Sequence, residues 1–442
     1  MQPFASRLSG HCQFGTAVEV ITPPFPTRIA CTGDFASYST AVHDDLVVRA
    51  LAVRNADGAT LLWISYELLF VSRALHDALA AHAHSRYGID PALVTVGAVH
   101  NHNAPAASGF NPGAAEPAYD DILLHKGKAV IDGALGRLRD GIVELRRTDS
   151  DLNIQRRVVT DGVATAGPNE GAVRDTELVL LTVTDATEHN AGVLAACVVV
   201  WACHPVFYPE LDVTSGEFPA RLSQLLATER YGCVPLFFQG AAGDARPRAS
   251  IVDGAFARRG FAVIDTFARD LAAEVVALLD QPGTAVDLAP QGTAFTVELP
   301  LEPLPAEHFA ELVATRPGNP GNGTVSNADL IVADYAGRPR HADLRCTLVR
   351  LTAPTEGESL WLATMGGEPV NDIKEIVRAA VPGPVVFIGY TDSTAYIVSD
   401  RMLPEGGYEV GCGVSFGHLG PFAPGIDDRI RGGFAAAVAE LS

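Results

Sequence analysis

The stretch Val94-Thr95-Val96-Gly97-Ala98-Val99-His100-Asn101-His102-Asn103-Ala104-Pro105 sets two imidazoles one residue apart at the end of a β-branched run. On an extended backbone, residues i and i+2 project to the same face. His100 and His102 are therefore expected to face one way. That geometry suits two metal ligands or an acid/base pair, and equally two hydrogen-bonded loop residues. His82 and His84 have the same spacing but fall on a predicted helix, where they splay apart and cannot share a metal.

Three further segments end a predicted strand in a residue capable of chemistry. In Val198-Val199-Val200-Trp201-Ala202-Cys203-His204-Pro205, proline holds His204 extended. Taken alone, His204 reads as a core-edge histidine bonded to backbone. In Phe237-Phe238-Gln239-Gly240-Ala241-Ala242-Gly243-Asp244-Ala245-Arg246-Pro247, Gly240 and Gly243 allow a sharp turn whose N–H groups could face a ligand. The simpler reading is an ordinary strand-to-loop turn. Met365-Gly366-Gly367-Glu368-Pro369 adds a carboxylate that, beside two imidazoles, makes a set zinc accepts. Alone, Glu368 reads as a solvated loop residue.

These segments must be positioned by alternating strands and helices. The pattern predicts strands over residues 61–70, 94–99, 177–184, 193–203, 234–239, 347–351, 360–365 and 385–390. Helices are expected over 72–87, with Ser72 as cap, and over 121–147, 218–231, 262–279, 372–380 and 427–441. Arg316-Pro317-Gly318-Asn319-Pro320-Gly321-Asn322-Gly323, within 315–327, reads as a loop, lid or subdomain junction. The fold class is α/β: one mixed-sheet core flanked by helices over residues 1–442, with the metal site at strand ends.

Composition narrows the partners. Asp and Glu outnumber Lys and Arg by 52 to 32, a formal net charge of −20. Such a surface disfavours nucleic acid and anionic membrane and leaves a small-molecule substrate. Seven scattered cysteines with no C-x-x-C spacing read as reduced and mostly core. No apolar stretch of signal-peptide or membrane-span length is found, so a cytoplasmic location without membrane insertion is expected. Oligomeric state is not encoded in any of these features.

The motifs together resemble those of neutral (non-lysosomal) ceramidases and their bacterial relatives. The His100-Asn101-His102-Asn103-Ala104-Pro105 segment is similar to their H-T-H-S-x-P, and Cys203-His204-Pro205 to their C/V-H-P. Phe238-Gln239-Gly240-Ala241-Ala242-Gly243-Asp244 looks like their F-x-Q-x-x-x-G-D/N, and Gly367-Glu368-Pro369 like their G-E-P/F. Gly406-Gly407-Tyr408-Glu409 resembles their late Y-E segment; Val18-Glu19-Val20-Ile21-Thr22-Pro23-Pro24 and His43-Asp44-Asp45-Leu46 resemble their opening D-I-T-P-P and H-D-x-L. The matches keep the family's order from about residue 15 to 430.

The resemblance implies a zinc amidase with one Zn2+ held by His100, His204 and Glu368, and His102 beside the metal facing substrate. It also implies a tyrosine ligand about five residues before the Y-E segment. That count falls on Leu403 and leaves Tyr396, Tyr408 or water for the fourth position. Where ceramidases carry their catalytic serine, this chain has Arg246, which cannot act as nucleophile or base but could stabilise an oxyanion or clamp a carboxylate. A structural ion pair with Asp244 is the plainer role. Gly240, Gly243, Asp244, Tyr396 and Tyr408 are expected to contact substrate. Ceramidases carry a further C-terminal immunoglobulin-like domain for which no residues remain, so a true extracellular ceramidase is not expected. The leading expectation is a zinc-dependent hydrolase of an amide or related C–N bond in a small polar or anionic acyl compound. The rival is a metal-dependent cyclisation or condensation, and below both stands a non-catalytic binding protein.

Overall fold

Apolar, β-branched runs form two sheets whose strand ends meet at the histidine segments. The computed structural model of the protein describes residues 10–30, 38–107, 116–229, 232–315, 323–352 and 359–442. The main sheet contains β1 (His11–Val20), β2 (Val47–Arg54), β3 (Thr60–Tyr66), β4 (Val94–Ala98), β5 (Arg139–Asp149), β6 (Glu177–Asp185), β7 (Leu194–Trp201) and β8 (Val234–Gln239). Their order is β8-β7-β6-β5-β1-β2-β3-β4, with the short strand Thr284–Ala285 beside β5 as the ninth. The pairs β3–β4 and β7–β8 are parallel and the rest antiparallel. A four-stranded sheet follows: β9 (Leu288–Pro300), β10 (His341–Thr352), β11 (Trp361–Met365) and β12 (Val385–Ile388), with β11 and β12 parallel.

Helices cover both faces of the main sheet. The first two, α1 (Arg73–Tyr87) and α2 (Pro117–Leu135), lie on one face; α3 (Glu217–Glu229) and α4 (Phe261–Leu279) lie on the other. Alternation along the strands explains this. Val179, Leu181, Val198 and Val200 enter the core under α1 and α2. Their neighbours Leu178, Leu180, Val199 and Trp201 pack with Phe218 of α3 and Phe267 of α4. Burial on both faces produces the continuous apolar runs read in the sequence. The second sheet buries its own face against α5 (Asn371–Ala380) and α6 (Ile426–Leu441). No described helix is long and apolar enough to cross a membrane.

The main sheet curls until its two edge strands meet. Ser65 Oγ donates to Phe237 O at 2.6 Å, and a Cβ on Gly97 would lie 2.9 Å from the Phe238 ring. The residues after β12 fill the seam: Gly389 N–H donates to Gln239 O at 2.9 Å, and Tyr390 O accepts from Ala98 N–H at 3.2 Å. The C-terminal ends of β4, β7, β8, β11 and β12 thereby converge. That is the usual place for a site in parallel-strand architecture.

Most expected elements are present. Ser72 Oγ caps α1 by accepting from Leu75 N–H at 3.1 Å. The six described cysteines are free and buried. His82 and His84 turn to separate partners, Asp132 and Ile89 O. Two expectations need correction. The predicted helix over 121–147 is the helix Pro117–Leu135 followed, past Gly136, by β5. Leu138, Ile142 and Leu145 imitate a helical stripe, but Gly141 and Val143 are buried at a period of two. Pairing with β1 and β6 on both sides outweighs the local helical pattern. Of the loop expected over 315–327, Thr315 ends one helix and residues from Gly323 onward begin another. Residues 316–322 lie outside the described residues.

Candidate metal centre

His100 and His102 do not sit on an extended strand end. The strand stops at Ala98, and His100 adopts φ +66°, in the left-handed region. Flanking bonds hold it there: Val99 N–H to Tyr66 O and Asn101 N–H to Leu68 O, both 2.9 Å. Six described non-glycine residues have positive φ. Asp161 and Asp253 occupy Asp-Gly hairpin turns, whereas His100, Tyr208, Glu217 and Tyr390 all surround this site. Such strain, of order 1–3 kcal/mol each, concentrates where surrounding structure over-determines a functional geometry.

The side chains converge even so. The ligand atoms of His100, His102 and His204 all lie within 4.8 Å of one another. His100 Nε2 is 2.8 Å from His204 Nε2 and 3.2 Å from His102 Nε2. His100 Nδ1 faces Leu69 O at 3.0 Å, and His204 Nδ1 faces Ala242 O at 3.2 Å. A carbonyl only accepts, so each ring carries its proton on Nδ1 and turns a bare Nε2 lone pair inward. Burial first, then His100, pushes His204 well below the usual imidazole range, which keeps it neutral.

Glu368 completes the cluster from the second sheet. Its Oε2 lies 3.1 Å from His100 Nε2 and 3.4 Å from His204 Nε2, fully buried and without a hydrogen-bond donor. Two glycines bring it there. A Cβ on Gly366 would meet Asp392 Oδ1 at 2.2 Å; Gly367 has φ +72° and lies against Ala395 O. Glu368 then pairs in parallel with Tyr396, directly opposite in register. Tyr396 Oη is 3.3 Å from His204 Nε2. Two lone-pair nitrogens and an undonated carboxylate oxygen at one buried point repel one another unless a cation lies among them, and the phenol of Tyr396 stands beside them as a further oxygen donor. The donor set fits a metal ion.

The other expected site residues divide. Tyr408 packs edge-on to Tyr396, ring centroids 5.6 Å apart, and is 63% exposed. Leu403 lies in the turn beyond, packed in the second core, and is no substitute for a tyrosine ligand. Arg246 is half-buried. Nη2 donates to Val206 O at 3.0 Å, and the guanidinium lies over Phe256 at 4.5 Å and Tyr208 at 6.0 Å. Tyr208 in turn packs edge-on to His102 at 5.5 Å. No described carboxylate pairs with Arg246. Asp244 instead accepts from Gln155 Nε2 at 2.6 Å and Asn371 N–H at 3.1 Å, and burial pushes its pKa up to about 6. Gly240 and Gly243 correct another expectation. Their N–H groups go to Trp201 O and Pro369 O, not to a ligand. Gly243 is needed because a Cβ would lie 2.6 Å from Glu368 O.

Three residues were not singled out by the sequence, although one of them, Gln239, stands inside a motif. Gln239 Nε2 donates to Val99 O at 2.9 Å and Cys203 O at 2.8 Å, while Oε1 accepts from Cys203 N–H. It thus joins the two histidine segments. Arg156 lies over the Tyr396 ring at 5.3 Å, with Nε on Glu409 and Nη2 unpartnered. Burial opposes its charge, but Tyr396 and Glu409 outweigh that and hold it well above the ordinary range. Tyr390 packs on His100 at 4.5 Å. An arginine beginning a basic pair in a strand, and a tyrosine ending one, look ordinary in sequence.

The fold that positions these groups is that of the neutral ceramidases. A crystal structure of neutral ceramidase from Pseudomonas aeruginosa superposes with a TM-score of 0.74 at 15% identity, over 98% of this chain and 75% of that one. A ceramidase complexed with C2 gives the same score and coverage at 16% identity. No protein-family model matches the sequence, and no curated protein matches it.

Proposed function

We propose that this protein is a metal-dependent hydrolase of an amide or related C–N bond in a small polar or anionic acyl compound. The observation that carries this reading is the convergence of His100 Nε2, His204 Nε2 and Glu368 Oε2 on one buried point. Likeness in fold to neutral ceramidases supports it. One zinc ion is the preferred occupant from the imidazole and carboxylate donors, with Tyr396 Oη as fourth ligand. A zinc ion held there would supply Lewis acidity and make water a nucleophile near neutral pH.

The chain's own residues do the rest. Leu69 O and Ala242 O hold the two ligand rings in the Nδ1-protonated tautomer. His102, beside the ligands and half-buried, takes or returns a proton at Nε2. Arg156 directs its unpartnered Nη2 at charge developing on the acyl oxygen. Arg246, which donates to one carbonyl, lies over two aromatic faces and forms no close ion pair among the described residues, binds a substrate carboxylate. The acidic surface and buried free thiols favour a small-molecule substrate in a reducing, cytoplasmic setting.

Metal analysis of protein purified without added metal tests the reading. Near one equivalent is expected, and His204→Ala should lose it. Less than about a tenth of an equivalent in the parent protein would sink the proposal, because a site coupled to folding should stay loaded.

A further inference from the structure

Tyr390 combines two unfavourable features at the edge of the metal centre. Its φ of +60° lies in the left-handed region, which an aromatic residue rarely adopts. Its side chain is fully buried, yet among the described residues its hydroxyl has no hydrogen-bond partner. Buried phenols almost always find one. The backbone leaves no freedom to relax: Tyr390 N–H donates to Gly367 O at 3.0 Å, and Tyr390 O accepts from Ala98 N–H at 3.2 Å. The ring is clamped with its centroid 4.5 Å from that of His100 and 6.3 Å from that of His204. Phenylalanine would fill the same space without burying an orphan hydroxyl. Packing therefore does not account for the tyrosine. A phenol is ordinarily protonated at neutral pH, so this buried, unpartnered hydroxyl beside His100 is available to donate.

We propose that the Tyr390 hydroxyl is a catalytic hydrogen-bond donor to the acyl oxygen of the substrate. The inference rests on the hydrolase reading above and adds a residue to it. As the water oxygen bonds to the carbonyl carbon, the π pair of C=O moves onto the acyl oxygen. The Tyr390 O–H donates to that oxygen and keeps its proton. The attacking water gives up a proton to His102 Nε2; when the C–N bond breaks, its electron pair leaves with nitrogen, which takes that proton from His102, and C=O reforms. The phenol works beside the Arg156 guanidinium as a preorganised dipole aimed where charge develops.

The test uses the zinc-loaded full chain and its Tyr390→Phe variant, with acetohydroxamic acid as a probe that presents an acyl oxygen to a metal. Zinc content should be unchanged and Tm unchanged or higher, because an unsatisfied hydroxyl has been removed. The calorimetric Kd for acetohydroxamate should rise about tenfold, the usual worth of one such bond. With an amide substrate, kcat should fall while KM holds. Equal hydroxamate affinity in the two zinc-loaded proteins would overturn the proposal. So would loss of zinc from the Phe variant, which would assign the hydroxyl to holding the metal. Tyr390→Leu, which also removes the ring, separates packing: it should lower Tm where Tyr390→Phe does not. Failure of the hydrolase reading shows separately, as absence of zinc from the parent protein.

Discussion

His100 and His204, 104 residues apart in the chain, bring their Nε2 atoms to within 2.8 Å of each other. Each ring donates from Nδ1 to a main-chain carbonyl, so the meeting is of two acceptors. A fold holds such a contact only if something cationic is worth more there than the repulsion costs.

Glu368→Gln keeps the shape of the third donor and removes its charge. Loss of a partner outside the ligand set costs metal sites 10–100-fold in affinity, so loss of an anionic ligand should cost at least about 100-fold. Competition with a chromogenic chelator measures this. Affinity within a few-fold of the parent would remove Glu368 from the ligand set.

Gln239→Leu should damage the site without touching a ligand. It orphans Val99 O, Cys203 O and Cys203 N–H, all buried, at a cost of about 3 kcal/mol or more. Urea unfolding should register the loss, and metal affinity should fall with it because the two histidine segments are no longer joined. Unchanged stability would show that backbone packing alone aligns them.

Glu217 makes stability fall with pH across the neutral range. It is buried at the start of α3 and accepts from Phe207 and Tyr208 N–H. Burial pushes its pKa up to about 8, against lowering by those bonds and Arg246 and with a smaller push from Asp44. A carboxyl that holds its proton more tightly folded than unfolded contributes stability at low pH. That contribution is lost as pH rises from about 4.5 through 8, at up to about 1.4 kcal/mol per pH unit. Glu217→Gln should therefore gain on the parent at pH 8.5 relative to pH 5. Parallel stability curves for the two proteins would refute this.

Arg246→Ala should discriminate among substrates. For an acyl compound bearing a free carboxylate, KM should rise about 10- to 100-fold, the worth of charge-assisted bonds, and for a neutral analogue it should barely move. An equal effect on both would assign Arg246 to packing on Phe256 and Tyr208. The same assays, read by mass spectrometry, separate hydrolysis from cyclisation. Hydrolysis products together weigh one water more than substrate, and a cyclised product does not.

The candidate metal donors were legible because each sits in a short local pattern at the end of an apolar run. What brings them together was not. His100 reaches its partners from a left-handed backbone, not from an alternating strand as the spacing implied. Gly243 and Gly367 do matter, but as points of close backbone approach and not as ligand-facing amides. The tyrosine opposite Glu368 is fixed by strand register with Glu368, which counting back from a motif could not find. Gln239 stood inside a motif, yet its bonds run to residues of two other strands. Arg156 and Tyr390 are defined wholly by long-range neighbours. In β5, sheet pairing overrode a stripe that reads as helix.

The seam between the two sheets has a consequence for biogenesis. Both ligand imidazoles and Gln239 are contributed by the main sheet, whereas Glu368, Tyr390 and Tyr396 arrive only with the second. A nascent chain emerging in order therefore displays half a coordination sphere for as long as the last third is being synthesised. Any ion captured then would sit on two imidazoles, with no carboxylate to retain it. On the proposed reading, a metal would be retained only once the second sheet has brought Glu368 to the two imidazoles.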